Sequence, residues 1–600
     1  MPTALAVFVA TLPLVVLPGN DDPSSLPQAV WLQVGTTFLW LVGLMGSRQF
    51  RTSVVSRILA PGTAVLAWLA LSMFWATDLY ASQRTLLRWG SAFGLTVLIS
   101  VTVESLSQAR RLLLSVFWSS VAVSVVGLLQ YFWGFDLVPQ SYPPGGTLGN
   151  RNVAAEFVVA GAVSGALGLF LPIGTVQLFS LMAGSAVALA FVLHSDCRGA
   201  WVALIAQWVG IAALLPSGRL VPRWTFARAL AAMFGASAFA GLATIEPTMA
   251  RTDRPGAEQL LTGATRPFAR LLEGAPPAPD DPTQPAASVR AERSVSIRLG
   301  VWRNTIEMIR SAPVEGVGIG NFQVHYPRFA TEAGGDGTRK DERVDAAHND
   351  YLQLIAEAGV IGVVLSGWFL MVVVRAAWAV MKGPGDEAAR IVVFSLLGLT
   401  GLFAAAFVSP LANQPAALAA ASVFVGVILS CASREGRLAS ASSDRDPGPW
   451  LRSTGVAGAA AVLVILLTTG LAEIRADRHV LKMAQAEALQ DWPAVIREGL
   501  QVRHLNPGRV DPRFATASAM IRMGRVSGGV RLLEEFIAVE PHNANALGNL
   551  GIAHMTRGDL EAASRYLNRL LALRPDDAVA LGLLDRIRSF PGSAEQGGLR

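Results

Sequence analysis

Four short polar clusters interrupt the long apolar runs of this sequence, and each contains side chains that can bind an anion or move a proton. They occupy residues 145–152, 195–199, 296–322 and 347–353. Arginine offers a planar, permanently charged fork for phosphate, whereas histidine exchanges a proton near neutral pH. Because the clusters contain no Asp-x-Asp or His-x-His pair, they predict a site that works without a metal ion.

His348 stands in the fourth cluster, where a polar segment re-enters an apolar run. A histidine in that place can act as a base or as a phosphate ligand near neutral pH. Asn349 and Asp350 follow it, and both residue types are good helix caps. The same pattern is therefore equally compatible with a polar cluster that only starts a helix.

Two arginines lie where the chain meets the membrane surface. Arg198 lies between two apolar runs with almost no loop. The positive-inside rule disfavours arginine at the outer surface, so the presence of Arg198 there indicates a functional role. The alternative is that its side chain snorkels to lipid headgroups. Arg298 opens the third cluster, and Trp302 and Ile306 follow at helical spacing, so the three side chains share one face of a predicted helix.

Glycines accompany the polar residues of the first and third clusters. Gly316, Gly318 and Gly320 predict a loop that can bring backbone N–H groups to an anion. Asn150 and Asn152 follow a glycine-rich turn and offer hydrogen-bond donors and acceptors for a ligand. The alternative for the asparagines is a loop that is followed by a helix cap.

The elements that must position these clusters are membrane helices. Hydrophobic residues make up 52% of the 600-residue chain and charged residues only 15%, against about 25% in soluble proteins. The sequence pI near 9.7 does not indicate nucleic acid, because the arginines lie between apolar runs and form no basic stripe. Two cysteines, Cys197 and Cys431, suit neither a disulfide framework nor a zinc site.

A membrane span needs about 20 mostly apolar residues, and this criterion predicts about 12–13 spans. The candidate segments are 2–18, 28–46, 58–76, 86–103, 110–132, 152–172, 174–194, 199–215, 225–246, 356–378, 389–408, 414–432 and 453–474. We therefore expect an all-α chain with transmembrane helices at 1–246 and 351–474, a large outer loop at 247–350 and a further domain at 475–600.

The orientation of the spans follows from arginine placement. Basic residues concentrate in alternate loops, such as 47–57 and 433–452, and these loops are predicted to face the cytoplasm. Arg84 and Arg88 are the exception to this bias. The loop at 247–350 and the C-terminal domain are then expected on the opposite side of the membrane.

The C-terminal segment contains internal repeats. Pro507, Pro541 and Pro575 recur at 34-residue intervals, and Gly524 and Gly558 share that interval. A period of 34 residues is typical of tetratricopeptide helix pairs, which form a small α-solenoid. Such repeats commonly bind proteins, so a protein partner is expected, and the alternative is a domain that only stabilises the membrane part.

Taken in order, the clusters resemble the O-antigen ligase and polymerase superfamily. The strings GTLGNRNVAAEF, SDCRGAW, GVGIGNF and HNDYLQLIAEAGVIG carry the resemblance, which covers roughly residues 60–430. It implies a membrane domain similar to C-type glycosyltransferases. It also implies a metal-independent enzyme without a cofactor, in the inner membrane, that transfers glycans from undecaprenyl pyrophosphate at the periplasmic face.

The resemblance also implies roles for individual residues. His348 resembles the family's catalytic histidine, and Arg298 resembles the loop arginine that binds the pyrophosphate. The residues expected to bind substrate are Arg198, Asn150, Asn152, Trp302 and Asn349. Cys197 departs from the pattern, because many members have serine before this arginine, and a Pro- and Ala-rich insert at 275–288 leaves the acceptor specificity open.

Several functions remain compatible with these motifs. The expected partners are a lipid-linked glycan donor, a glycan, lipid or protein acceptor, and membrane lipids, but no nucleic acid. An O-antigen ligase, a polysaccharide polymerase and a protein O-oligosaccharyltransferase share the motifs. A small-anion transporter would carry charges in mid-span and paired internal repeats, and a scaffold would need far fewer spans.

Overall fold

The computed structural model of the chain describes residues 1–46, 52–140, 143–170, 173–214, 287–330, 344–383, 387–434 and 449–589. Throughout these ranges the regular structure is helical, and no strand occurs in them. This agrees with the predicted all-α class, because a helix satisfies its own backbone hydrogen bonds inside a lipid bilayer.

The described residues before the large loop form eight helices. They are α1 Pro2–Thr11, α2 Ser25–Met45, α3 Thr52–Leu71, α4 Leu79–Thr102, α5 Leu106–Trp133, α6 Arg151–Ala166, α7 Thr175–His194 and α8 Arg198–Leu214. Within the loop lie α9 Ala287–Ser311 and the short α10 Phe322–His325. The membrane part then continues with α11 Asp350–Met381, α12 Glu387–Ala405, α13 Pro415–Arg434 and the 40-residue α14 Pro449–Ala488.

Eight helices in the described part of the chain are long and apolar enough to cross a membrane. They are α2, α4, α5, α7, α11, α12, α13 and α14, with the last counted from Ser453. Other predicted spans appear as shorter helices, including α6 with 16 residues and α8 with 17. The predicted span at 225–246 lies outside the described residues. The architecture is that of a multi-pass membrane bundle.

Helix α11 bends sharply near its start, at the place where the third cluster contacts it. Gly359 has φ 64° and ψ −173°, a conformation that is open mainly to glycine. The freed N–H of Val360 donates to the carbonyl of Pro313 at 3.0 Å. A Cβ atom on Gly359 would lie 2.1 Å from the carbonyl oxygen of Val314. Residues of the third cluster therefore pack and hydrogen-bond against the kink, which fixes the direction in which α11 enters the membrane bundle.

The C-terminal repeats form paired helices with polar caps. After α14 come α15 Trp492–Leu505, α16 Asp511–Arg522, α17 Val526–Val539, α18 Ala544–Thr556, α19 Leu560–Leu573 and α20 Ala578–Ser589. Gly524 and Gly558 adopt positive φ in the turns inside two pairs. A Cβ on Gly551 would lie 2.6 Å from Leu567, so this glycine allows α18 and α19 to approach closely, as the repeat pattern predicts.

The first repeats are joined to the membrane bundle by a polar contact. The Asn506 side chain donates to the Tyr80 hydroxyl at 2.6 Å, and that hydroxyl donates to Glu473 at 2.9 Å. Arg84 pairs with Glu473 at 2.9 Å, which gives this exceptional arginine a partner within the protein. Asp78, two residues before Tyr80, donates its N–H to the Asn321 side chain of the large loop at 2.7 Å.

We expect the large loop and the repeat domain to lie on the same side of the membrane, because both contact the N-terminal end of α4. Reporter fusions after residues 290 and 520 test this expectation, and both should report a non-cytoplasmic location. A fusion after residue 440, in a loop rich in arginine, is the control and should report the cytoplasm. Opposite signals from the first two fusions would contradict the arrangement.

Candidate active site

The described residues at the C-terminal end of the large loop form a small hydrophobic core, and the histidine motif is part of this core. It contains Val301, Met308, Phe322, Tyr326, Ala347 and Ala356, all of them buried. The indole N–H of Trp302 donates to the carbonyl of Ala347 at 3.0 Å. This hydrogen bond ties α9, one turn after Arg298, to the residue that precedes His348.

His348 is half-buried and adopts φ 50°, the left-handed conformation that side chains other than glycine rarely take. Non-glycine residues held in this conformation concentrate at functional sites. Burial lowers the pKa of His348 from its ordinary value, and the charge of Arg298 lowers it further. A lowered pKa favours the neutral imidazole, which is the form that can accept a proton.

Arg298 lies on α9 within electrostatic reach of two titratable groups, the His348 imidazole and the Glu156 carboxyl group. Its side chain is half-buried and, within the part of the chain that the structure describes, it forms no hydrogen bond or ion pair. A guanidinium of this kind can bind an anion through parallel N–H donors. The structure thus places Arg298 within electrostatic reach of His348, and their shared role in one site stays a prediction.

Arg198 is the first residue of α8 and its side chain is exposed. The turn that precedes it contains Asp196 at φ 52°, a second non-glycine residue in the left-handed conformation. The thiol of Cys197 is buried beneath the turn, with Sγ 3.7 Å from Oε1 of Glu156. The turn thus lies against a carboxyl group that is itself within electrostatic reach of Arg298.

The two cap asparagines of the predicted site do start helices. The Asn150 side chain accepts from the N–H of Asn152 at 2.9 Å, and Asn349 accepts from Tyr351 and Leu352 at 3.0 and 3.1 Å. Their amide oxygens are thus used as N-caps. Their roles in substrate binding stay predictions.

The glycine loop of the third cluster does bring N–H groups to an anion, and that anion belongs to the protein. Gly320 donates its N–H to Oε2 of Glu357 at 2.7 Å, and the N–H of Phe322 approaches Oε1 at 3.4 Å. Gln353 donates to the same carboxyl group at 3.0 Å. This loop therefore fastens itself to α11, and its amides are not offered to a substrate.

Two acidic residues near the ends of predicted spans, Glu156 and Glu357, are buried at this end of the bundle. Glu156 is 0% exposed and Glu357 is 4% exposed. Ionisable residues inside membrane helices are costly, and they generally mark pathways or sites. This rarity is the sequence signal that could have identified both residues.

A metal centre is not built by the residues that the structure describes. Among them, no group of three or more histidine, cysteine, aspartate and glutamate side chains could hold a metal ion. Cys197 and Cys431 are buried and are not joined in a disulfide.

Comparison with known proteins finds one family match in the membrane part of the chain and one in the C-terminal part. Residues 181–367 match the O-antigen ligase family, and residues 520–587 match a tetratricopeptide repeat family. No curated protein matches the chain. Among solved structures, the APC/C hetero-tetramer Cut9-Hcn1 aligns with 84% of this chain and 93% of that chain at 10% sequence identity, but its TM-score of 0.18 is too low to support an argument.

The matched O-antigen ligase segment contains Arg198, Arg298 and His348, and the matched repeat segment contains two of the 34-residue prolines. Both matches fall where the motifs and the repeat spacing predicted them. The chain thus combines a multi-pass membrane bundle, which contains a segment similar to the O-antigen ligase family, with C-terminal helical repeats similar to tetratricopeptide repeats.

Proposed function

We propose that this protein is an inner-membrane glycosyltransferase that transfers a glycan from undecaprenyl pyrophosphate to an acceptor at the periplasmic face. The observation that carries the proposal is the Trp302–Ala347 hydrogen bond, which supports one site for Arg298 and His348. The O-antigen ligase match over residues 181–367 supports the same reaction class. The large loop, 247–350, and the repeat domain, 475–600, then face the periplasm, and transmembrane helices occupy 1–246 and 351–474.

The reaction has a simple balance of bonds. The acceptor hydroxyl oxygen forms a bond to the anomeric carbon of the glycan, while the bond from that carbon to the lipid pyrophosphate breaks. The pyrophosphate leaves with the electron pair, and His348 takes the proton of the hydroxyl. Arg298 and Arg198 stabilise the charge that develops on the leaving group, each through two parallel N–H donors.

The driving force comes from the lipid pyrophosphate, so neither a nucleotide nor a metal ion is needed in this proposal. Transfer by the purified protein should therefore persist in excess chelator, because two guanidinium groups take the place of a cation at the leaving group. The measurement is product formation with and without the chelator. Loss of transfer that one divalent ion restores would contradict the metal-independent mechanism.

The pH dependence of transfer should report the neutral state of His348. A base with a lowered pKa acts when it is unprotonated, so activity should persist at neutral pH and fall only below the ordinary histidine value of 6.5. Arg298→Gln removes a neighbouring positive charge, so the pKa of His348 should rise and the acid limb should move to higher pH. Arg303→Gln, an exposed site on the same helix, is the control. An acid limb that Arg298→Gln leaves in place would contradict the electrostatic coupling.

Ligase, polymerase and protein O-oligosaccharyltransferase reactions share this chemistry and differ in the acceptor. The decisive experiment is the structure of the surface glycan in a strain without this protein. Loss of all attached polymer supports the ligase, which we propose first. Single repeat units on the acceptor indicate a polymerase, and loss of glycan from proteins alone indicates the protein-directed enzyme. An unchanged set of glycans would overturn the proposed function.

A protein partner is proposed for the tetratricopeptide repeats. Helix pairs of this type present an extended surface to other proteins. The contact between Asn506 and Tyr80 supports a fixed position of the first repeats beside the membrane bundle. A partner bound there would be held close to the proposed site of transfer.

A further inference from the structure

Glu156 is a fully buried carboxyl group on α6 that the proposed mechanism does not use. Its Oε1 atom accepts from the Ser409 hydroxyl at 2.6 Å and lies 3.7 Å from the Cys197 thiol. Its other oxygen, Oε2, is buried and has no hydrogen-bond partner in the described part of the chain. Burying a carboxyl group in a membrane bundle is expensive, so a residue of this kind indicates a role beyond packing.

One side of Glu156 touches the turn that presents Arg198. A Cβ atom on Gly199 would lie 2.1 Å from Oε1, so only glycine at that position leaves room for the carboxyl group. The Cys197 thiol also approaches the carbonyl of Asn152, one turn before Glu156 on α6, at 3.8 Å. The turn from Ser195 to Gly199 is therefore seated directly on α6.

The other side of Glu156 reaches the start of the histidine helix. Ser409, the donor to Glu156, belongs to the segment between α12 and α13. In the same segment, Ala412 donates its N–H to Asp350 at 2.8 Å, and Ala406 accepts from the N–H of Asp350 at 2.9 Å. Asp350 stands two residues after His348. Glu156 thus connects the Arg198 turn to the segment that holds the beginning of α11.

We propose that Glu156 is a positioning residue that acts through Arg198, by holding the 195–199 turn at a fixed distance from the His348 segment. The inference rests on the proposed function, because it assumes that Arg198 contacts the leaving group. Arg298 lies within electrostatic reach of the same carboxyl group, so the carboxyl also adjoins the second arginine of the site. The turn and the histidine segment come from distant parts of the chain, and a small shift between catalytic groups can reduce a rate by about 10²-fold.

A double-mutant cycle tests whether Glu156 acts through Arg198. Glu156→Ala should lower the kcat/KM for the lipid-linked donor by about 10–100-fold, whereas Glu156→Gln keeps an acceptor for Ser409 and should lose less than about 5-fold. When Arg198 is already replaced by lysine, Glu156→Ala should lower kcat/KM by less than about a further 3-fold. The reason is that the contact between residue 198 and the leaving group, which Glu156 positions, is already impaired. Losses that multiply in full would overturn the proposal, as would an unaltered kcat/KM in Glu156→Ala.

A measurement that does not depend on transfer separates this inference from the proposed function. In a Cys431→Ala background, Cys197 is the single cysteine, and it is buried at 1% exposure. Maleimide should label it slowly in the folded protein and at least about 10-fold faster after Glu156→Ala or Ser409→Ala, because the turn is released. Glu104→Ala, an exposed change on another loop, is the control and should leave the labelling slow.

The outcomes distinguish the two proposals. Unchanged labelling in both variants would overturn the role of Glu156 in holding the turn, even if Arg198 proves essential. Conversely, an Arg198→Lys variant with full activity would overturn the role of Arg198 in the proposed function, and with it the route through which Glu156 acts. If Glu156→Ala is not found in the membrane, Ser409→Ala supplies the same comparison in the cycle.

Discussion

His348→Ala should lower the rate of glycan transfer by about 10²–10⁴-fold, the usual contribution of a general base. The loss is expected because the variant lacks the half-buried imidazole, with its lowered pKa, that the proposal assigns to accept the proton of the acceptor hydroxyl. The measurement is transfer from a lipid-linked donor by purified protein, at equal amounts of folded enzyme. His504→Ala, an exposed histidine of the repeat domain, is the matched control and should keep full activity.

The amount of protein in the membrane must be measured beside the activity, because a helix-starting role for His348 predicts a different outcome. If the histidine only shapes the turn before α11, its replacement should reduce the amount of folded protein. Stable protein with little activity supports the base, whereas stable and fully active His348→Ala would contradict it. Since His348 has a positive φ, His348→Asn keeps a residue that tolerates this conformation and separates the two effects.

Arg298→Ala should reduce transfer by about 10²–10³-fold, which corresponds to about 3–4 kcal/mol of transition-state stabilisation. The reason is that Arg298 lies within electrostatic reach of His348, where the proposal assigns its paired N–H donors to the leaving pyrophosphate. Arg298→Lys should restore activity only in part, because an ammonium group lacks the planar fork. The measurement is kcat and KM for the donor, with product release followed separately.

Arg303→Ala provides the control for this change, because it removes an exposed arginine from the same helix. It should leave kcat and KM within about 2-fold, as most exposed substitutions do. Equal losses in the two variants would mean that the charge of α9 as a whole matters, through steering of the anionic donor. Full activity in Arg298→Ala would remove this residue from the proposed site.

The positions of the membrane helices could be predicted from the sequence, because a bilayer demands long apolar runs and permits only helices to use them. Helices occur at every predicted span that lies among the described residues. The lengths and the straightness of the helices were less predictable. The run at 152–172 yields a helix that ends at Ala166 and passes into a 3₁₀ turn, and the run at 356–378 contains the kink at Gly359.

The repeat domain was predictable for a similar reason. A tetratricopeptide pair is a local structure, and its turns and close contacts recur at a fixed spacing. Gly524 and Gly558, which share the 34-residue interval, both occupy turns between paired helices with positive φ. The attachment of the repeats to α4 through Tyr80 left no comparable signal, since that contact joins residues 426 positions apart.

The residues of the candidate site also divide into those that the sequence identified as candidates and those whose contacts only the structure revealed. His348, Arg298 and Arg198 could be identified from short strings, because a motif places the chemistry in neighbouring residues. Their roles stay predictions until the variants are measured. Glu357 shows the limit of such strings, because the glycine loop looked suitable for a substrate anion and instead binds this carboxylate of the protein itself.

By itself, the sequence determined that this is a helical membrane protein with C-terminal repeats, and it indicated candidate residues for transfer from a pyrophosphate. Hydropathy, repeat spacing and motifs are properties of residues that are close in sequence, so they can be recognised without knowledge of the fold. Only the tertiary structure shows that Glu156 accepts a hydrogen bond from Ser409, 253 residues away. It also shows that the Arg198 turn, through Glu156, and the His348 helix, through Asp350, are both linked to the segment between α12 and α13. Such polar contacts depend on which helices pack together, and the lipid-facing pattern of one helix does not specify its neighbours.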